Sequence, residues 1–265
     1  MSDGWSGLYL KAKRADIEST LLRLTQNRGY QLLSYIERVD YPQSFYPNVT
    51  RVRRSIDVAF FVPVDTDWIR MIGFELANTV HPRAFFGSEL VVALGCDAFD
   101  CGFLEDTSWW YVYYQNGKVV DRFDSDPIET ITQPLYDQPL DPNDPRLIYY
   151  LCNNIINWQY AELPDQVLNQ FIGRPELLEP ILLPGKIDEV SKLFEISSSQ
   201  EGIKWLKSIS TLPFINEYLA FELLSALSNT LREPDEYIRE LLSRGLSAMV
   251  LQHPKILYGE SDTYS

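Results

Sequence analysis

Residues 96–126 hold the densest set of side chains able to do chemistry: two thiols, Cys96 and Cys101, and the acids Asp97, Asp100, Glu105, Asp106, Asp121, Asp124 and Asp126. Gathered at one end of a sheet, such carboxylates could bind a hard cation, which takes six to eight oxygens. The triad that would do so is Asp121, Asp124 and Asp126. It lacks the D-x-D-x-D-G loop that makes a calcium site specific, and Asp124-Ser125-Asp126 before Pro127 is ordinary turn chemistry. The metal is therefore the alternative, and turn and surface acids are the first reading.

Other chemistry has less to build on. The two histidines, His81 and His253, each precede a proline, and neither shows the nucleophile and orienting acid that a general base works with. There is no H-E-x-x-H, G-x-S-x-G, P-loop or dinucleotide fingerprint, so no cofactor is expected. Cys96, Cys101 and Cys152 form neither an even set nor a C-x-x-C pair, against a disulfide framework or zinc ribbon. Acidic surroundings also disfavour a reactive thiolate.

The same region is rich in rings. DTSWWYVYYQNGKVVDRFDSDP, residues 106–127, carries six aromatic side chains and four aspartates. Asn116-Gly117 is the strongest short hairpin signal, because a type I′ turn needs positive φ at both central residues. A two-residue loop pairs Gln115 with Lys118 and Tyr111 with Arg122. One face then holds Trp110, Val112, Tyr114, Val119, Asp121 and Phe123. The other holds Trp109, Tyr111, Tyr113, Lys118, Val120 and Arg122. Rings on both sides break the clean alternation of a half-wet sheet. Either the chain covers both faces itself, or Trp109, Tyr111, Tyr113, Lys118 and Arg122 form a binding surface of the kind in which Tyr, Trp and Arg dominate.

The hairpin resembles a core found in uncharacterised bacterial proteins, W/Y-x-x-Y-x-x-G-x-x-V-D-x-Y/F-x-S-x-P. The match rests on Asp106, Tyr113, Gly117, Val120, Asp121, Phe123, Ser125 and Pro127, under a tenth of the chain. GRPELLEPILLPGKIDEVSKLFE, from Gly173, is similar to a Gly-x-x-E-x-L segment that follows that core. The resemblance implies a common two-part layout and no activity.

The elements that must position these residues follow from periodicity. GLYLKAK reads as a strand, 16–27 as a helix ending at Gly29, and YQLLSYIERV as a strand. SIDVAFFVPVD and DWIRMIGFEL read as two more strands. HPRAFFGSELVVALG reads as a helix entered by Pro82 and closed by Gly95. CDAFDCGFL and the hairpin complete an α+β unit, an antiparallel sheet with helices on one face in the order β-α-β-β-β-α-β-β-β. Residues 1–127 form this sheet domain, 128–146 a Pro-rich linker, and 147–265 a small all-helical domain. Its best-defined helix starts at Pro234-Asp235 and aligns Ile238, Leu241, Leu242, Leu246, Met249 and Val250. That stripe is core packing or, alternatively, a homodimer contact.

Charge narrows the partners. The chain has a formal net charge of −14. Residues 1–60 hold nine Lys/Arg against six Asp/Glu, and residues 61–150 five against fifteen. Such a surface repels phosphate backbones and anionic lipid, and Arg51, Arg53 and Arg54 read as a solvated cluster. No basic-then-apolar opening and no apolar run of about 20 residues point to a cytoplasmic protein. The expectation is a non-enzymatic protein-binding or regulatory module for a basic partner. A carboxylate-based, cation-dependent hydrolase is the alternative.

Overall fold

A computed structural model of the chain describes residues 4–38, 56–64, 67–73, 82–104, 108–126, 165–196, 199–212, 239 and 242–252. Eight strands form one antiparallel sheet in the order β2-β8-β3-β4-β1-β5-β6-β7. They are β1 Gly4–Lys11, β2 Gln31–Ile36, β3 Ile56–Pro63, β4 Ile69–Gly73, β5 Asp97–Leu104, β6 Ser108–Gln115, β7 Lys118–Asp124 and β8 Ser247–Gln252. The long helices are α1 Arg14–Gln26, α2 Pro82–Leu94 and α3 Ser199–Ile209.

Local chemistry accounts for the helix ends. In α1, Ile17, Leu21 and Thr25 recur every fourth residue and are buried, the stripe that packs a helix on its neighbour. Asp16 in its first turn and Arg23 in its last complement the helix dipole. Gly29, at φ 84°, lets the chain turn out of the helix towards β2. The α2 helix closes at Gly95, whose N–H donates to Val91 O at 2.9 Å.

One sequence expectation is overturned. Residues 247–252 belong to β8, not to a last helix. Arg239, Leu242 and Ser243 are helical. Gly245, at φ 86°, ends that turn, and the chain enters the sheet between β2 and β3. Met249 pairs with Tyr35 on one side and Ala59 on the other. Ser247 through Leu251 are all buried, as in a central strand covered on both faces. The C-terminal part is thus not all helical, and Leu246, Met249 and Val250 are core residues rather than a dimerisation stripe.

By compactness the chain divides into two units, one of residues 1–6, 99–113 and 119–213, the other of residues 7–98, 114–118 and 214–265. In the first, Phe99, Trp109, Tyr111, Leu178, Leu193, Leu206 and Ile209 are fully buried. In the second, Tyr9, Leu10, Ile17, Leu21, Phe60, Phe61, Leu90, Leu246 and Leu251 are. The expected linker 128–146 lies outside the described residues, as do residues 147–164 and 213–238 of the expected all-helical domain.

Candidate functional site

The hairpin tip is held by backbone geometry. Asn116 and Gly117 adopt φ 51° and 76°, the pair of positive values a type I′ turn requires. Asn116 N–H donates to Asp97 Oδ1 at 2.9 Å, and Gly117 N–H to Cys96 O at 2.8 Å. A β-carbon on Gly117 would lie 3.0 Å from Gly95 Cα and 3.2 Å from Val91 O. The tip therefore needs glycine twice over, for its conformation and for its approach to the end of α2.

The register beyond the turn corrects the expected faces. Ser125 N–H donates to Trp109 O at 3.0 Å, so Trp109 stands opposite Ser125 rather than Asp124. From the turn to that pair, β7 uses one residue more than β6. Lys118 and Val119 are both exposed, which breaks the alternation near the turn. One extra residue moves every later side chain to the opposite face. Asp121 and Phe123 thereby join Trp109, Tyr111 and Tyr113, while Arg122 leaves Tyr111 and lies over the Phe171 ring, 5.6 Å from its centroid.

These rings are core. Trp109 and Tyr111 are fully buried and Tyr113 nearly so. The Phe123 ring lies 4.5 Å from Trp109, 5.9 Å from Tyr111 and 4.9 Å from Phe194, and Phe99 stacks on Tyr111 at 5.4 Å. Trp109 Nε1 donates to Ile196 O at 3.0 Å, satisfying its one polar atom. Of the five residues expected as a binding surface, Lys118 alone is exposed and Arg122 is half-buried. The other three contribute adhesion within the chain, each worth about 2–3 kcal/mol of buried area.

Asp121 is the polar centre of this cluster. Its side chain is 3% exposed. It accepts Tyr111 Oη–H at 2.7 Å and Arg174 N–H at 3.0 Å, and the Arg174 Nε lies 3.6 Å away. The same guanidinium donates to Val120 O. Gly173, at φ 71°, presses close enough that a β-carbon there would sit 2.9 Å from Tyr111 Oη. Ile172 forms a bridge with Phe123. The V-D-R-F strand and the G-R-P-E segment are thus two halves of one contact, which covers the outer edge of β7.

Asp124 does turn work, while Glu105 and Asp106 lie outside the described residues. Asp124 accepts the Asp126 N–H at 2.9 Å, and Ser125 Oγ accepts the Trp109 N–H at 2.9 Å. Asp121 and Asp124 therefore serve separate structural contacts. Among the described residues no group of three or more His, Cys, Asp or Glu could hold a metal ion. His81, His253 and Cys152 lie outside the described residues.

Among the described residues, Cys96, Tyr35 and Tyr111 titrate high. Burial pushes the Cys96 thiol up to about 11. Burial and then the bond to Glu18 push the Tyr35 phenol to about 12. Burial and then the Asp121 charge drive the Tyr111 phenol up further. A group raised in the folded state contributes stability fully below its unfolded pKa and loses it as pH rises towards the folded value. Thermal stability should therefore fall from roughly pH 9 for the thiol and roughly pH 10 for the phenols. Melting curves from pH 7 to 12 check this. Cys96→Ser should remove the earliest part of the decline, and an unchanged profile would contradict its origin.

The opposite edge of the sheet is different. All of Gln31 to Tyr35 are exposed, including Leu32, Leu33 and Tyr35 at 38%, 49% and 42%. Strand β2 pairs with β8 on one side, and among the described residues nothing pairs with its other side. Leu32 pairs with Leu251, Ser34 with Val250 and Tyr35 with Met249, so Leu33 is an extra residue in the strand. In an unbroken strand Leu32 and Tyr35 would face opposite ways. The bulge puts both on the side of α1, where Tyr35 Oη donates to Glu18 Oε2 at 2.6 Å. Glu18 Oε1 also accepts Ser247 Oγ–H at 3.0 Å. This site was missed in the sequence, where the Leu32-Leu33 doublet is its one local sign.

Comparison with known protein families, curated proteins and solved structures finds no match in any of the three. No helix among the described residues is long and apolar enough to cross a membrane.

Proposed function

We propose that this chain is a non-enzymatic, cytoplasmic protein-binding module whose recognition element is the β2 edge rather than the aromatic hairpin. The supporting observation is the exposure of Leu32, Leu33 and Tyr35 on a strand that pairs with β8 on one side and, among the described residues, with nothing on the other. An open edge offers a row of backbone donors and acceptors together with side chains that favour burial, a combination that invites pairing. The other edge, β7, is covered by Ile172 to Arg174 and has no such offer to make. The net charge of −14 favours a basic partner and speeds its encounter.

The test is affinity capture with the native chain and with Leu33→Lys as bait, followed by titration of each purified captured protein. Leu33 is half exposed, so the substitution should change stability by no more than about 0.5 kcal/mol. At least one partner should lose about tenfold or more in affinity, the effect of a buried interface residue. Partners that bind both baits equally, or turnover of a substrate by the purified chain, would overturn the reading.

A further inference from the structure

We infer that Asn116-Gly117 is a latent self-modification site, closed while the hairpin tip is docked on the end of α2 and open when the tip lifts away. The reaction is succinimide formation, and its parts lie in these two residues. The Gly117 main-chain nitrogen loses its proton to hydroxide and attacks Asn116 Cγ. The N–Cγ bond forms, the Cγ–Nδ2 bond breaks, and Nδ2 takes a proton from water and leaves as ammonia. Water then opens the ring at either carbonyl, giving aspartate or isoaspartate. Glycine after asparagine favours this chemistry because no side chain crowds the attacking nitrogen. The pair occurs once in the chain, and Asn116 is exposed, which gives water access to it.

The docked tip closes the site in several ways. Gly117 N–H donates to Cys96 O at 2.8 Å, and a hydrogen bond to the neutral form of a group disfavours its ionised form. From a type I′ turn, attack also needs Asn116 to rotate about its Cα–C bond, carrying the Gly117 nitrogen towards the side chain. Asn116 N–H is fixed to Asp97 Oδ1 at 2.9 Å, and the turn holds φ 51° and 76°. Gly117 itself is buried, seated where a β-carbon would lie 3.0 Å from Gly95 Cα. A peptide unit packed this closely has no room to swing.

Modification therefore waits for local opening, and the population of the open tip sets its rate. Either product puts a negative charge on the residue whose N–H Asp97 holds, and isoaspartate also lengthens the two-residue loop by a carbon. Both changes oppose redocking, so the tip, once modified, stays released.

The test compares the native chain, Asp97→Ala and a blocked peptide of residues 112–121 in mildly alkaline buffer. Mass spectrometry after digestion counts acid at position 116, and enzymatic methylation counts isoaspartate. Amide exchange at Gly117 measures tip opening in the two proteins. The native chain should react about tenfold or more slowly than the peptide. Asp97→Ala removes a hydrogen bond to a charged group and should raise both modification and Gly117 exchange by about tenfold. Where Asp97→Ala unfolds the chain, low urea on the native protein makes the same comparison of the two rates. Native modification as fast as that of the peptide would overturn closure by docking. Faster exchange without faster modification would overturn opening as the gate, and an unreactive peptide would overturn the site itself.

Discussion

Asp121→Ala should destabilise the first unit by about 2–5 kcal/mol, because it removes the buried acceptor of two hydrogen bonds. The carboxylate accepts the Tyr111 hydroxyl and the Arg174 N–H, and alanine leaves both donors facing apolar rings. Each buried group left unsatisfied costs about 1–3 kcal/mol. Asp121→Asn keeps an acceptor oxygen and nearly the same volume, so about 1–2 kcal/mol is expected. Arg174→Ala should cost less than Asp121→Ala. The Arg174 side chain is 58% exposed, its ion pair is correspondingly screened, and alanine retains the backbone N–H. Chemical denaturation followed by circular dichroism ranks the three. A ranking with Arg174→Ala worst would mean that the guanidinium, not the carboxylate, organises the strap over β7.

How far this arrangement is legible in sequence depends on the range of the interactions that set it. The turn at Asn116-Gly117 and the exits of α1 and α2 at Gly29 and Gly95 are written in single residues whose backbone preferences act locally. Asp124 and Asp126 are legible for the same reason, since an Asx turn closes within two residues. The faces of the hairpin are not. One extra residue in β7 reverses them, and it shows only in the pairing of Trp109 with Ser125. Strand β8 is hidden for a related reason. Leu242, Leu246, Met249 and Val250 fit a helical stripe, but pairing with β2 on one side and β3 on the other decides the matter. One of the two partners of Asp121, Arg174, lies 53 residues away. The apolar β2 edge became visible only once the strand order placed it outermost.

Gly202→Ala should also destabilise, against the sign that helix propensity alone predicts. Gly202 sits inside α3, where alanine is ordinarily better by about 1 kcal/mol. Here a β-carbon would lie 2.6 Å from Trp109 Cδ1 and overlap the neighbouring indole atoms. The indole has little freedom to retreat. It is fully buried, tied to Ile196 O at 3.0 Å and packed 4.5 Å from Phe123. Overpacking a fixed core costs about 1–3 kcal/mol or more, so a net loss of about 2 kcal/mol is expected after the propensity gain. The origin of that loss is separable by a double-mutant cycle. Trp109→Leu alone removes ring area and a hydrogen bond and should be costly. In that background Gly202→Ala should cost little or even stabilise, because the space the indole filled is open. Additive losses would mean that alanine is rejected by something other than Trp109, and a stabilising single substitution would show that α3 does not approach β6 this closely.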